Sequence, residues 1–244
     1  MKITTLMVMS LMLAMLSGCT TMSETSVDVG LIPQPTDKII PLQIPKPILS
    51  LDVYDKKRGA RVDKDVLSLT SKEIRERLTS TETFVTIEKY DASGRIGYLG
   101  ANAKASKGSY KVTFDYINYT IKDITPNQGS SEPVQGRIGV GLRITADLTT
   151  TSNGVDLSNL LPIALAVQEN KAYGQLKFLA YGISNDKVAS LTPTYTALDI
   201  GSIQKALEAI ATVRILFNLD DTKLEPYLLG VSVKGVTESI KLNQ

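Results

Sequence analysis

The chain contains no histidine, no tryptophan and a single cysteine among its 244 residues. Without histidine there is no imidazole base, so Ser-His-Asp and Cys-His catalysis, imidazole metal sites and histidine pH switches are excluded. One cysteine excludes an intrachain disulfide and every cysteine-cluster metal site. Neither sign of charge is in excess, with 27 Lys and Arg against 25 Asp and Glu. The balance leaves no electrostatic footprint for nucleic acid. The remainder, 43% hydrophobic, 21% charged and 6% aromatic, is ordinary globular composition. It suits one domain of medium size with a short appendage.

The N-terminus carries a targeting signal. Lys2 is followed by an apolar run from Ile3 to Leu16, the arrangement of a secretory signal peptide. The run is shorter than the ~20 apolar residues of a spanning helix. All six methionines fall within the first 22 residues, a compositional break expected of a discarded segment. Leu16, Ser17, Gly18 and Cys19 resemble a bacterial lipobox. The resemblance implies a diacylglyceryl thioether on Cys19, cleavage before it, and acylation of the new amino group. Apart from these covalent lipids no cofactor is expected. Each buried CH₂ contributes ~0.8 kcal/mol, so such an anchor is effectively permanent. Thr20 in place of Asp after the cysteine implies, by the same resemblance, the outer membrane.

Residues 1–18 are therefore read as signal peptide, 19–47 as lipidated cysteine and tether, and 48–244 as a periplasmic domain. The tether holds five of the ten prolines, Pro33, Pro35, Pro41, Pro45 and Pro47, which favour extended chain over helix or sheet. Residues 20–47 would span up to roughly 85 Å in that form. Ile39, Ile40, Leu42 and Ile44 are apolar enough to pack on the domain instead.

The domain reads as mixed α/β. Ile48 to Tyr54 alternates as a strand, Asp63 to Ser80 follows a helical pattern, and Phe84 to Tyr90 is a second strand. Strand, helix, strand predicts a βαβ unit with parallel strands. Residues 91–109, rich in Gly, Ala and Ser, read as a mobile loop. Tyr110, Val112, Phe114 and Tyr116 alternate, then the phase slips at Ile117, which predicts a bulge or a strand covered on both faces. Ile138 to Leu148 gives the cleanest period of two, with Asn153-Gly154 behind it as a turn. Leu160 to Val167 and Leu176 to Ile183 are apolar stretches that read as a hairpin. Thr196 to Phe217 fits a long helix, and Tyr227 to Leu242 a closing strand with a bulge at Lys234-Gly235.

Few residues point to chemistry. Gly94, Gly97 and Gly100 beside Lys104 and Lys107 lack the Gly-Lys-Ser/Thr and the helix of a phosphate loop. Gly139-Val140-Gly141 lies inside a strand and lacks the third glycine of a dinucleotide fingerprint. Asp63, Asp65, Asp220 and Asp221 sit at helix ends: the first two suit the N-terminal dipole, and the last two read as loop. Tyr110, Tyr116 and Tyr119 suit cross-strand packing. Lys56, Lys57, Arg58 and Arg61 form a small basic loop, either solvated or an interaction loop for anionic lipid or an acidic partner.

The order of lipobox, proline-rich lead, βαβ, long antiparallel strands and late helix resembles the curli-secretion (CsgG-type) lipoproteins. It is also similar to the related penicillin-binding-protein activator lipoproteins. The matching pieces are Leu51-Asp52-Val53-Tyr54, Leu69 to Leu78, Phe84-Val85-Thr86-Ile87-Glu88, Gly139 to Ile144, and Ile203 to Phe217. The resemblance implies a CsgG-like fold and a non-catalytic component of a secretion or surface-appendage assembly. It leaves open a regulator of a peptidoglycan synthase, or a subunit of an oligomeric pore. The chain departs from the channel members at residues 124–135. That insert, with Pro126 and Pro133, falls short of the ~20 residues of a spanning hairpin. Envelope proteins are the expected partners, and open strand edges suggest self-association.

Overall fold

The computed structural model of the chain describes residues 39–100, 103–124, 134–185, 187–188 and 195–232. Its first strands are β1 (Ile39–Pro47), β2 (Ser50–Asp55), β3 (Ala60–Asp65), β4 (Ser80–Tyr90) and β5 (Ile96–Leu99). There follow β6 (Lys104–Ala105), β7 (Gly108–Ile124), β8 (Val134–Thr150), β9 (Val155–Asp156) and β10 (Ala172–Tyr181). The last are β11 (Ile183–Ser184), β12 (Thr196–Ala197), β13 (Lys223–Leu224) and β14 (Tyr227–Ser232). Among the described residues three whole α-helices join them: α1 (Ser71–Arg77), α2 (Leu160–Gln168) and α3 (Ile200–Phe217).

The architecture is mixed α/β around one large antiparallel sheet. Strands β7 and β8 pair along their whole 17-residue lengths. On one side lie β4 and then β5. On the other, the edge of β8 is shared: β10 takes residues 141–150, and β14 takes 136–139 and carries β1 beyond it.

The even-numbered residues of β7 and β8 build the main core. Val112, Phe114, Val140, Leu142, Ile144 and Ala146 pack with Ile163 of α2 and with Ile203, Ala206, Ala209 and Val213 of α3. Odd-numbered positions face the other way, and most are buried too. There Ile117, Tyr119, Tyr181 and Leu229 form a smaller cluster with Phe84 and Tyr227 against it. Burial on both faces explains the phase slip at Ile117, because the β7 register runs without a bulge.

Several local expectations are corrected. β2 pairs with β3 in a separate two-stranded antiparallel sheet, so no parallel βαβ unit forms. Residues 60–65, read as the approach to and start of a helix, are strand. Of the apolar residues that share a face in the Asp63 to Ser80 helical pattern, Val66 and Ile74 are buried, but Leu67 is 85% exposed. The 91–109 segment contains β5, folded back on β4 across a turn at Gly94. Leu160 to Val167 is helix, not the first strand of a hairpin. Asn159 caps it by accepting from the Leu161 amide, and Asn170 in the left-handed region ends it. A short apolar run fits a buried helix or strand equally well by pattern. Residues 39–47 of the expected tether are strand, and Pro41, Pro45 and Pro47 are tolerated there because β1 is an edge. The helix expected from Thr196 begins at Ile200. The bulge in β14 lies between Leu228 and Gly230, while Lys234-Gly235 and residues 125–133 of the 124–135 insert lie outside the described residues; Ile124, Val134 and Gln135 are strand.

The short helix α1 owes its start to a capping box. The Thr70 hydroxyl accepts from the Glu73 amide at 3.2 Å, and the Glu73 carboxylate accepts from the Thr70 amide at 3.0 Å. The Thr70 amide first, and then the Thr70 hydroxyl, which donates to the same carboxylate at 2.9 Å, hold the Glu73 carboxyl below its ordinary range. Thr70→Ala is expected to cost about 1 kcal/mol in urea unfolding near pH 7. A lowered folded pKa stabilises above the unfolded value and is lost as pH falls through the folded one. The difference between the two proteins should therefore shrink below pH about 4. An undiminished difference at pH 3 would contradict the coupling.

Candidate functional site

The odd-numbered face of the sheet places charge where the sequence pattern shows only alternation. Asp115 of β7 and Arg143 of β8 are cross-strand partners. The Asp115 carboxylate accepts from Arg143 Nε at 2.6 Å and Nη2 at 2.8 Å, a bidentate pair. Asp115 is 3% and Arg143 5% exposed. The Tyr181 hydroxyl donates to the same carboxylate at 3.2 Å. The remaining Arg143 nitrogen donates to the backbone carbonyls of Leu42 at 2.5 Å and Gln43 at 3.2 Å. One guanidinium thus ties strand β1 to the central sheet. Burial opposes its charge, yet the Asp115 carboxylate holds it protonated, above its ordinary value. Burial first, and then Asp115, keeps the Tyr181 hydroxyl protonated.

Arg143 also lines a cleft of about 220 Å³ between β1 and the sheet. Its walls carry Glu88, Asp147, Lys111 and Lys177, with Tyr90 and Tyr195 at the sides. The Lys177 ammonium stands 5.4 Å from the Tyr195 ring. The Tyr90 hydroxyl, pushed up to about 12 by burial and then by Glu88, is a donor and not a base at neutral pH. Three cations and two carboxylates in one open cleft suit a small zwitterion or an extended peptide carrying both charges. Among the described residues no group of three or more His, Cys, Asp or Glu is placed to hold a metal ion.

Close by, Arg137 lies with its guanidinium carbon 3.4 Å from the Phe84 ring centroid and 5.6 Å from that of Tyr119. The two rings meet edge to face at 5.3 Å. This is cross-strand packing of the expected kind, with the cation supplying part of the contact.

The sequence-derived candidates lie elsewhere. Cys19 and Leu16, Ser17 and Gly18 are outside the described residues. Lys56, Lys57 and Arg58 occupy the exposed turn between β2 and β3, and Arg61 follows on β3, 3.8 Å from Asp52. None of the four lines the cleft. Asp65 caps a single 3₁₀ turn, Asp63 pairs with Lys122, and Asp220 pairs with Arg75 at 3.0 Å. Sequence reading missed Asp115, Arg143, Glu88, Lys111, Asp147 and Lys177. For all but Glu88, an even-numbered residue of β4 opposite Lys111, the one signal was a charged residue at the odd phase of a strand whose even phase is apolar, which solvated faces share.

No protein family, no curated protein and no solved structure matches the chain.

Proposed function

We propose that the protein is an outer-membrane lipoprotein whose periplasmic domain is a non-catalytic binding component of a secretion or surface-appendage assembly. The observation that carries the reading is the sequence Leu16-Ser17-Gly18-Cys19, which places the only cysteine at the end of a short apolar N-terminal run. A non-catalytic role is supported by the absence of histidine from the sequence and by a cleft that offers charge complementarity without an activated nucleophile. With Leu160 to Val167 helical, the hairpin that a pore would have drawn from residues 160–183 is missing, which favours an accessory role over a channel subunit.

Cys19→Ala is expected to leave an unprocessed or soluble protein, to abolish labelling by radioactive palmitate, and to move the protein out of the detergent phase. Normal processing and membrane association of that variant would overturn the reading. A photo-crosslinker at Tyr195 on the cleft should then report the neighbours. Secretion or appendage proteins are expected, whereas a peptidoglycan synthase would assign the protein to envelope-enzyme regulation.

A further inference from the structure

On the helix face of the sheet, away from the charged cleft, a second cavity of about 400 Å³ opens between the end of α1, the start of β4 and the last turn of α3. Its lining includes Tyr116 and Asn118, two residues apart on β7, where the even phase turns from apolar to polar. Tyr116 is 8% and Asn118 4% exposed. The Asn118 carbonyl oxygen is satisfied by the Thr81 hydroxyl at 2.6 Å. Its amide nitrogen and the Tyr116 hydroxyl have no partner. An unsatisfied buried polar group costs about 1–3 kcal/mol, so two at the same cavity require a reason.

The rim supplies one. Arg75 and Arg214 both line the cavity, and no carboxylate does. Arg75 is occupied: it donates to the carbonyls of Phe217 and Leu219 at 3.3 and 2.7 Å and pairs with Asp220. Among the described residues the Arg214 guanidinium has no ion-pair partner, and its charge acts on the Tyr116 hydroxyl. Burial raises that hydroxyl above its ordinary value, so at neutral pH it is a donor.

We propose that this cavity binds an oxyanion, the carboxylate or phosphate terminus of a small ligand, with the Asn118 amide and the Tyr116 hydroxyl as floor donors and Arg214 as the charge. The three groups match what an oxyanion needs: uncharged donors held by a rigid strand and one planar cation. Arg75 shapes the wall and keeps the carbonyl end of α3 from repelling the anion.

The test is a titration of the full-length chain in detergent micelles, at constant ionic strength, with inorganic phosphate and separately with acetate. The readout is the side-chain amide resonance of Asn118. A saturable shift with either anion, absent with chloride, is expected. Arg214→Gln should weaken it roughly tenfold, the loss of one charge-assisted hydrogen bond. Arg214 is exposed on α3, so this variant is expected to fold. Asn118→Asp, which places a carboxylate against the anion and is followed through the backbone amide resonance of position 118, should abolish binding, whereas Lys205→Gln, nine residues earlier on α3 and outside the cavity lining, should change nothing. Tighter binding of phosphate than of acetate would assign a phosphorylated ligand, and the reverse a carboxylate. No saturable shift with either anion, or equal affinity in Arg214→Gln, would overturn the proposal, leaving a cavity filled by water alone. Neither result depends on the lipoprotein reading.

Discussion

Arg143→Ala is expected to be among the most damaging single substitutions in the protein, costing about 3–5 kcal/mol. Truncation leaves the Asp115 carboxylate in a site only 3% exposed, with Tyr181 as its remaining hydrogen-bond partner. It also strips the Leu42 and Gln43 carbonyls of their donor. The loss is therefore the cost of an uncompensated buried charge, with loosening of the edge strand added. For a chain of this size it should lower Tm by roughly 10 °C. Asp115→Ala should cost a similar amount, since it strands the guanidinium. Arg143→Met combined with Asp115→Leu should recover most of the loss, because removing both charges avoids their desolvation. A double-mutant cycle in urea measures all three. A cost below about 1 kcal/mol for Arg143→Ala would show that the pair is solvated like a surface ion pair. Hydrogen exchange gives a second readout: protection should fall first in β1, which Arg143 tethers, and last in β7 and β8.

Gly141→Ala should cost about 3 kcal/mol or more, although it adds one methyl group. A Cβ at this position would lie 2.1 Å from the Tyr116 carbonyl oxygen and 2.9 Å from the Ile117 Cα. Both obstacles are backbone of the paired strand, so relief requires parting β7 from β8, the longest ladder in the fold. Gly139 meets the same obstacle two pairs along, 2.4 Å from the Asn118 carbonyl oxygen. The Gly-Val-Gly run thus serves close approach of two strands, with Val140 between them fully buried in the core. Gly97→Ala is the control, since nothing lies within 4 Å of its added carbon. That variant should unfold within about 0.5 kcal/mol of the parent. If Gly141→Ala also stayed within that margin, the strand spacing at 139–141 would be wider than described.

Residues with one dominant environment were legible from their pattern. Ile138 to Leu148 alternates because its even positions meet helices, and period two follows from strand geometry alone. The α3 helix was legible because Ile203 and Val213 recur on a single buried stripe, although the stripe runs through Ala206 and Ala209, where the pattern favours Leu207 and Ile210. Small residues let the helix sit close to the sheet, a packing fact that hydrophobicity does not encode. The candidate sites were not legible. Asp115 looks like any outward polar residue of a strand until Arg143 stands opposite it, and that pairing spans 28 positions of chain.

The amino-acid order therefore settled what local chemistry can carry. It excluded imidazole catalysis and an intrachain disulfide by composition, marked the apolar N-terminal run with its terminal cysteine, and named strands and helices wherever a single face is buried. Strand partners lay beyond it. Whether residues 60–65 enter a helix or a hairpin turns on β2 being free to pair. Whether 160–167 is helix or strand turns on the room left beside α3 against β10. Register, too, is a long-range property: it sets Arg143 against Asp115 and aims Tyr116 and Asn118 at one cavity. Such pairings are chosen by the free energy of the whole packed sheet, to which each local segment contributes only a small bias.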